Sequence, residues 1–194
     1  MRFRFTFAAL VAGLLVVSGG SMRAYAESAV FHDDHDDVVN LETRTQTSVQ
    51  AGIDVRDVAL AFTDRAVLLT VQHENLTERN AHEGRADYLI LDTNAGDPGP
   101  EWSMELIGFH YQLYRVKSHA QASDPKRHMR RYCGDKVRID TRENTTWMRF
   151  PASCAPRATQ VRAYGRFVSD ERGYAPRADN FLGYRSWTPW VSKG

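Results

Sequence analysis

The sequence predicts an all-β domain: an antiparallel β-sandwich of jelly-roll or Ig-like type, with about nine or ten short strands and one disulfide. Three observations lead there. Apolar residues recur with a period of two along most of the chain. Clusters of Gly, Pro, Asn and Asp separate those runs. The two cysteines, Cys133 and Cys154, flank one pair of runs at the base of a predicted hairpin.

The first element lies outside the sandwich. Arg2 and Arg4 form a positive start, Phe5 to Val17 is almost wholly apolar, and Ser18-Gly19-Gly20-Ser21 breaks the run. Ala24-Tyr25-Ala26 then presents small residues where a signal peptidase reads, so residues 1–26 are expected to be a signal peptide cleaved before Glu27. The alternative, an uncleaved anchor, needs about 20 apolar residues to span a membrane. The arginines are not adjacent, and no cysteine near the cleavage point offers a lipid attachment. The mature protein is expected to be secreted and extracellular, with no membrane attachment once the signal is removed. Residues 27–40 read as a polar mature N-terminus, and 41–194 as a single sandwich domain.

Along that domain, Val58-Ala59-Leu60-Ala61-Phe62 and the alternating Val67, Leu69 and Val71 read as a hairpin turning at Thr63-Asp64-Arg65. Tyr88-Leu89-Ile90-Leu91 is apolar on both faces, as a central strand requires. Two more strands follow the turn-rich 94–100 loop, carried by Trp102, Met104 and Leu106 and then by Phe109, Tyr111 and Leu113. Residues 117–131 are polar and basic, suited to an exposed loop or short helix. Residues 136–140 and 145–150 alternate about the turn 141–144, which sets Cys133 opposite Cys154. In an exported protein that pair is expected to be oxidised, and a loop of this size stabilises by roughly 3 kcal/mol in the chain-entropy account. A pair of metal-binding thiolates is the alternative, but further ligands at suitable spacing are missing. Val161, Ala163 and Phe167 mark another strand, 169–184 looks irregular, and Trp187 to Val191 closes the chain as a short strand.

The chain has 25 basic and 24 acidic residues. Loss of Arg2, Arg4 and Arg23 with the signal leaves 22 basic residues and a net charge of −2. Such balance disfavours nucleic acid, which calls for a concentrated basic face, and anionic membranes equally. Nothing in the sequence sets an oligomeric state.

Three segments carry candidate chemistry. His32-Asp33-Asp34-His35-Asp36-Asp37 offers consecutive ligands for a divalent ion, calcium by its carboxylates or zinc and copper by its imidazoles. A solvated N-terminus explains the same residues, and an extended strand would split neighbouring carboxylates onto opposite faces. Asp92, Asn94, Asp97 and Glu101 supply oxygens suited to calcium, although without EF-hand spacing. The same side chains cap turns by accepting from backbone amides. Near the C-terminus, Tyr174, Phe181, Tyr184, Trp187 and Trp190 offer ring faces to a ligand, with Arg185 or Asp179 to bond hydroxyls; core filling is the competing use. No Gly-x-Ser-x-Gly elbow, His-Glu-x-x-His motif or phosphate loop is present, so no catalytic residue is assigned. Asn75-Leu76-Thr77 and Asn144-Thr145-Thr146 match the glycosylation sequon.

Leu91-Asp92-Thr93-Asn94 with Pro98-Gly99-Pro100-Glu101-Trp102, then Phe150-Pro151-Ala152-Ser153-Cys154 with Val161-Arg162, then Trp187-Thr188-Pro189-Trp190-Val191 together resemble a group of exported actinobacterial proteins of unassigned function. That group is similar to carbohydrate-binding and DOMON-type β-sandwich domains. The resemblance spans most of residues 33–191, implies an Ig-like or jelly-roll sandwich, and carries no catalytic residues. The expected function is a non-catalytic module binding an extracellular carbohydrate, cell-wall or protein ligand. A small secreted hydrolase whose site assembles only in the fold, or a cell-surface interaction protein, are the alternatives. N-terminal sequencing of the protein recovered from culture medium is expected to begin at Glu27; full-length chain in the membrane pellet would establish the anchor instead.

Overall fold

Strand pairing follows the period-two segments of the sequence. The computed structural model describes residues 27–34, 36–47, 52–82, 84–97, 99–123, 130–131, 133–170, 175–183 and 186–194. Its strands are β1 (Glu27–His32), β2 (Val39–Asn40), β3 (Val55–Phe62), β4 (Ala66–His73), β5 (Arg85–Asp92), β6 (Trp102–Ile107), β7 (His110–Arg115), β8 (Arg130–Arg131), β9 (Lys136–Asp140), β10 (Thr145–Pro151), β11 (Gln160–Ser169), β12 (Arg177–Asn180) and β13 (Val191–Ser192). Two short helices, α1 (Glu78–His82) and α2 (His119–Ser123), sit on loops. One sheet runs β1-β3-β4-β10-β9; the other runs β2-β12-β11-β5-β6-β7-β8, with β13 also on β11. Both are antiparallel and pack face to face, as the sequence predicts. The two-residue strands β2, β8 and β13 are too short for any periodicity to register, and they carry the count past nine or ten.

Alternation decides which side chains enter the core. Val58, Leu60 and Phe62 of β3 and Val67, Leu69 and Val71 of β4 point inward, where they meet Leu89 and Leu91 of β5 and Val161, Ala163 and Phe167 of β11. The opposite face of β5 is covered as well: Ile90 packs with Tyr114, Val116, Tyr164 and Ala122 of α2. Two apolar faces make β5 the central strand its sequence suggests. Local chemistry sets the turns. Thr63 Oγ1 accepts from the amides of Arg65 and Ala66 to close β3–β4. Asp140 Oδ1 accepts from Arg142 and Glu143, and Asn144 takes φ +53°, to close β9–β10.

Four expectations change. The polar segment 27–40 carries β1, which pairs along its length with β3 from Glu27↔Phe62 to His32↔Asp57, so this segment is part of the first sheet. The irregular stretch 169–184 contains β12, four residues held by β11. The closing strand is only Val191–Ser192; ahead of it Thr188 bonds Ala163 of β11, and Trp187 and Trp190 lie on Arg162. Cys133 and Cys154 do meet at the hairpin base, but as partly buried free thiols 2.7 Å apart, where the sequence predicts a disulfide. A bond requires about 2.0 Å between the sulfurs. Burial, and then the neighbouring Cys133, pushes the Cys154 thiol up to about 12.

A polar network interrupts the core. Arg85 donates through Nε and Nη2 to both oxygens of Asp87 at 2.8 and 2.7 Å, and Nη2 reaches Thr146 Oγ1 on β10. His73 Nε2 lies 3.0 Å from that hydroxyl, and Phe167 packs edge-on against its ring. Arg85 is 2 % exposed and Asp87 0 %. Burial, then Arg85, holds the imidazole well below its usual range, so His73 is neutral. Removing one member strands a buried charge. Arg85→Ala is expected to cost about 3–5 kcal/mol of unfolding free energy in urea, and replacing Arg85 and Asp87 together by Met and Leu to recover most of it.

Candidate functional site

Two places outside the core gather functional groups. The first is built on β11. Arg162 sits opposite Asp92 in the β11–β5 ladder and donates to Asp92 Oδ2 through Nε and Nη2, at 2.9 and 2.7 Å. Its guanidinium carbon lies 4.8 Å from the Trp187 ring centre and 4.6 Å from that of Trp190, so one cation contacts two indoles. Thr188 fixes them from between: its amide donates to Ala163 O and its hydroxyl accepts from Ala163 N, both at 2.9 Å. His119 of α2 and Tyr164 pack against Trp187, with ring centres 5.4 and 6.1 Å away. Both indoles are half-buried. The other sequence candidates for this surface, Tyr174, Tyr184 and Arg185, lie outside the described residues. Phe181 is a core residue.

The loop after β5 spends its oxygens locally. Asp92 Oδ1 accepts from Asn94 N, and its Oδ2 from Arg162. Asn94 Oδ1 accepts from Gly96 N. Glu101 Oε2 accepts from both the amide and the hydroxyl of Thr93. Asp97 is exposed. A calcium ion at these four residues would have to displace bonds that already hold the turn.

The second place does gather carboxylates. Asp33 follows β1, Asp37 precedes β2 and Asp179 lies on β12; one oxygen from each falls within 4.8 Å of the others, the only such group of metal-ligand side chains among the described residues. Asp33 and Asp37 come from the acidic segment of the sequence; His35 of that segment lies outside the described residues. Three backbone amides shape the site. Leu182 N donates to Asp33 Oδ1 at 2.9 Å, Val55 N to Asp179 Oδ2 at 2.7 Å, and Asp36 N to Asp54 Oδ2 at 3.2 Å. Asp33 Oδ2, Asp37 Oδ1 and Asp179 Oδ1 are buried with no hydrogen-bond partner. Every charged group that shifts these three acids is another aspartate. Burial, and then Asp37, pushes Asp33 up to about 7; burial, then Asp37 and Asp33, pushes Asp179 up to about 9; burial raises Asp37 as well. As carboxylates, Asp37 and Asp179 can only repel, and a bond between them requires a proton on one. The arrangement therefore favours a positive species, proton or metal ion, among its oxygens.

Asp179 is the member that sequence reading missed as a metal ligand. Its partners lie about 140 positions away in the chain, and no local pattern around Ala178-Asp179-Asn180 signals a ligand. No model of a known protein family matches the chain, and no curated protein does.

The raised acids fix the sign of a pH effect. Their folded-state values lie above the unfolded value of 3.8, so between those values the native state holds more protons. Stability is then lost as pH rises through the folded values. His73 acts only below about 6.5, where the unfolded chain takes up a proton that the native state refuses. With divalent ions chelated, urea unfolding is expected to show stability falling between pH 7 and 9, and Asp179→Asn is expected to flatten that slope.

Proposed function

We propose that this chain is a secreted, non-catalytic β-sandwich that binds an extracellular ligand, carbohydrate or cell-wall material, on the surface around Trp187 and Trp190. The observation that carries it is the pair of half-buried indoles held over Arg162. Each keeps part of its ring surface in solvent, in a position fixed by Thr188 and by the Arg162–Asp92 ion pair. A rigid aromatic face stacks on a sugar ring without losing side-chain entropy on binding. Export rests on the signal peptide expected over residues 1–26, with Ala24-Tyr25-Ala26 before Glu27. In an oxidising compartment the adjacent Cys133 and Cys154 would close the β9–β10 hairpin as a disulfide. The jelly-roll or Ig-like assignment, and the likeness to carbohydrate-binding and DOMON-type domains, belong to the same proposal.

A second reading, a protein-interaction module, draws on Ile107 and Phe109, which flank the β6–β7 turn at 47 % and 43 % exposure.

Co-sedimentation with cellulose, chitin and purified cell walls separates the two. Saturable binding to one of them is expected, and Trp190→Ala, with an unchanged circular dichroism spectrum, is expected to weaken it about tenfold. A protein that stays in the supernatant with all three materials defeats the carbohydrate reading.

A further inference from the structure

We propose that Asp33, Asp37 and Asp179 form a calcium site that staples the segment between β1 and β2 to β12. The argument is independent of the aromatic surface. An acidic cluster alone would mean little, because exposed carboxylates gather without a ligand. Here the side chain that anchors the cluster is inside the protein: Asp179 is 1 % exposed, and its Oδ1 has no hydrogen-bond partner. Its other oxygen is fixed by Val55 N at 2.7 Å, so the carboxyl plane is set by the backbone of β3. Asp33 is held in the same way, one oxygen on Leu182 N and the other buried and unmatched. Asp37 contributes a third unmatched oxygen. A buried acceptor without a donor costs roughly 1–3 kcal/mol, and more when it is charged. A metal ion is one partner that satisfies three at once.

The donor set selects the ion. All three ligands are carboxylate oxygens, which suit hard cations and offer nothing to the softer metals that seek thiolate or imidazole. Oxygens lying within 4.8 Å of one another fit around a single ion that binds oxygen at about 2.3–2.6 Å, as calcium does. Magnesium demands a closer octahedron and gives up its waters reluctantly. Calcium takes six to eight oxygen ligands, so the three carboxylates would supply part of its shell and water the rest. Binding in the range of extracellular calcium modules, a Kd of about 10⁻⁴ to 10⁻³ M, is expected.

The consequence is structural. β1 is paired on one side only and β2 has only two residues, so the segment between them has little pairing of its own. An ion bridging residues 33 and 37 to residue 179 cross-links the start of the domain to its last third.

The test uses the full chain stripped with EDTA, titrated with calcium chloride by isothermal calorimetry and melted with and without the ion. One ion per chain and a higher melting temperature in calcium are expected for the wild type. Asp179→Asn keeps an oxygen for Val55 N and removes the charge; it is expected to bind calcium at least about tenfold more weakly and to melt at the same temperature with or without it. Wild-type protein that takes up no calcium at about 10 mM, ten times the upper expected Kd, overturns the proposal. So does an Asp179→Asn variant that binds as tightly as the wild type. If Asp179→Asn does not fold, Asp33→Asn and Asp37→Asn, nearer the surface, are read by the same two outcomes.

Discussion

The ladder that β11 makes with β5, from Arg162 opposite Asp92 to Ser169 opposite Arg85, fixes which side chains face which layer, and both candidate sites depend on it. Odd positions of β11 face the other sheet, where Val161, Ala163 and Phe167 fill the core. Even positions face outward, where Arg162 and Tyr164 meet Trp187. A slip of one residue would exchange the two sets and bury a guanidinium among aliphatic side chains. Gly165 shows how tight the inner face is. A Cβ there would sit 3.0 Å from the Phe167 ring and 3.6 Å from Leu89, so the close approach at this position requires glycine.

Charge is buried in this sandwich in two ways. In Arg85–Asp87 and Arg162–Asp92 each carboxylate receives two guanidinium bonds, and each pair joins neighbours set by the strand geometry. Such pairs add little net stability over apolar residues, but they penalise any fold that separates the partners. Asp33, Asp37 and Asp179 are different. Amides satisfy part of their demand, and among the described residues the charges that act on them are other aspartates. Asp87 and Asp92 each have a guanidinium, whereas these three carboxyls stand together without one, and the mismatch calls for something from outside the chain.

How much of this was legible in the sequence followed the range of the interaction. Period-two runs such as Val67-Leu69-Val71, and the turn at Thr141-Arg142-Glu143-Asn144, are local, and they set the main hairpins correctly. The Asp92–Glu101 loop could be read as turn or as metal site, because the same oxygens serve both; Arg162, 70 residues later, takes up one of them. β1 was hidden because the apolar residues of Glu27-Ser28-Ala29-Val30-Phe31-His32 are consecutive rather than alternating. β12 was hidden because Arg177-Ala178-Asp179-Asn180 places charge on the inner face, where a strand is expected to be apolar. Those misses share a cause with the site. Asp179 breaks the strand pattern because it serves the acidic centre, and departures from a local rule of this kind tend to mark function.

The two faces of β12 also bring the sites into one frame. Asp179 points inward to the carboxylates, while its neighbour Asn180 accepts through Oδ1 from the Tyr164 hydroxyl at 2.9 Å. Tyr164 packs on Trp187, and Trp187 packs on Arg162. β12 is only four residues long, held on one side by β11 and on the other by two-residue β2. Whatever fixes Asp179 therefore also fixes where Asn180 stands, since successive residues of a strand share one backbone. An ion at the carboxylates would steady the strand whose outer face buttresses the aromatic surface, without any change of shape between the two sites. Contiguity of this kind supplies the physical contacts that coupling between the two sites needs.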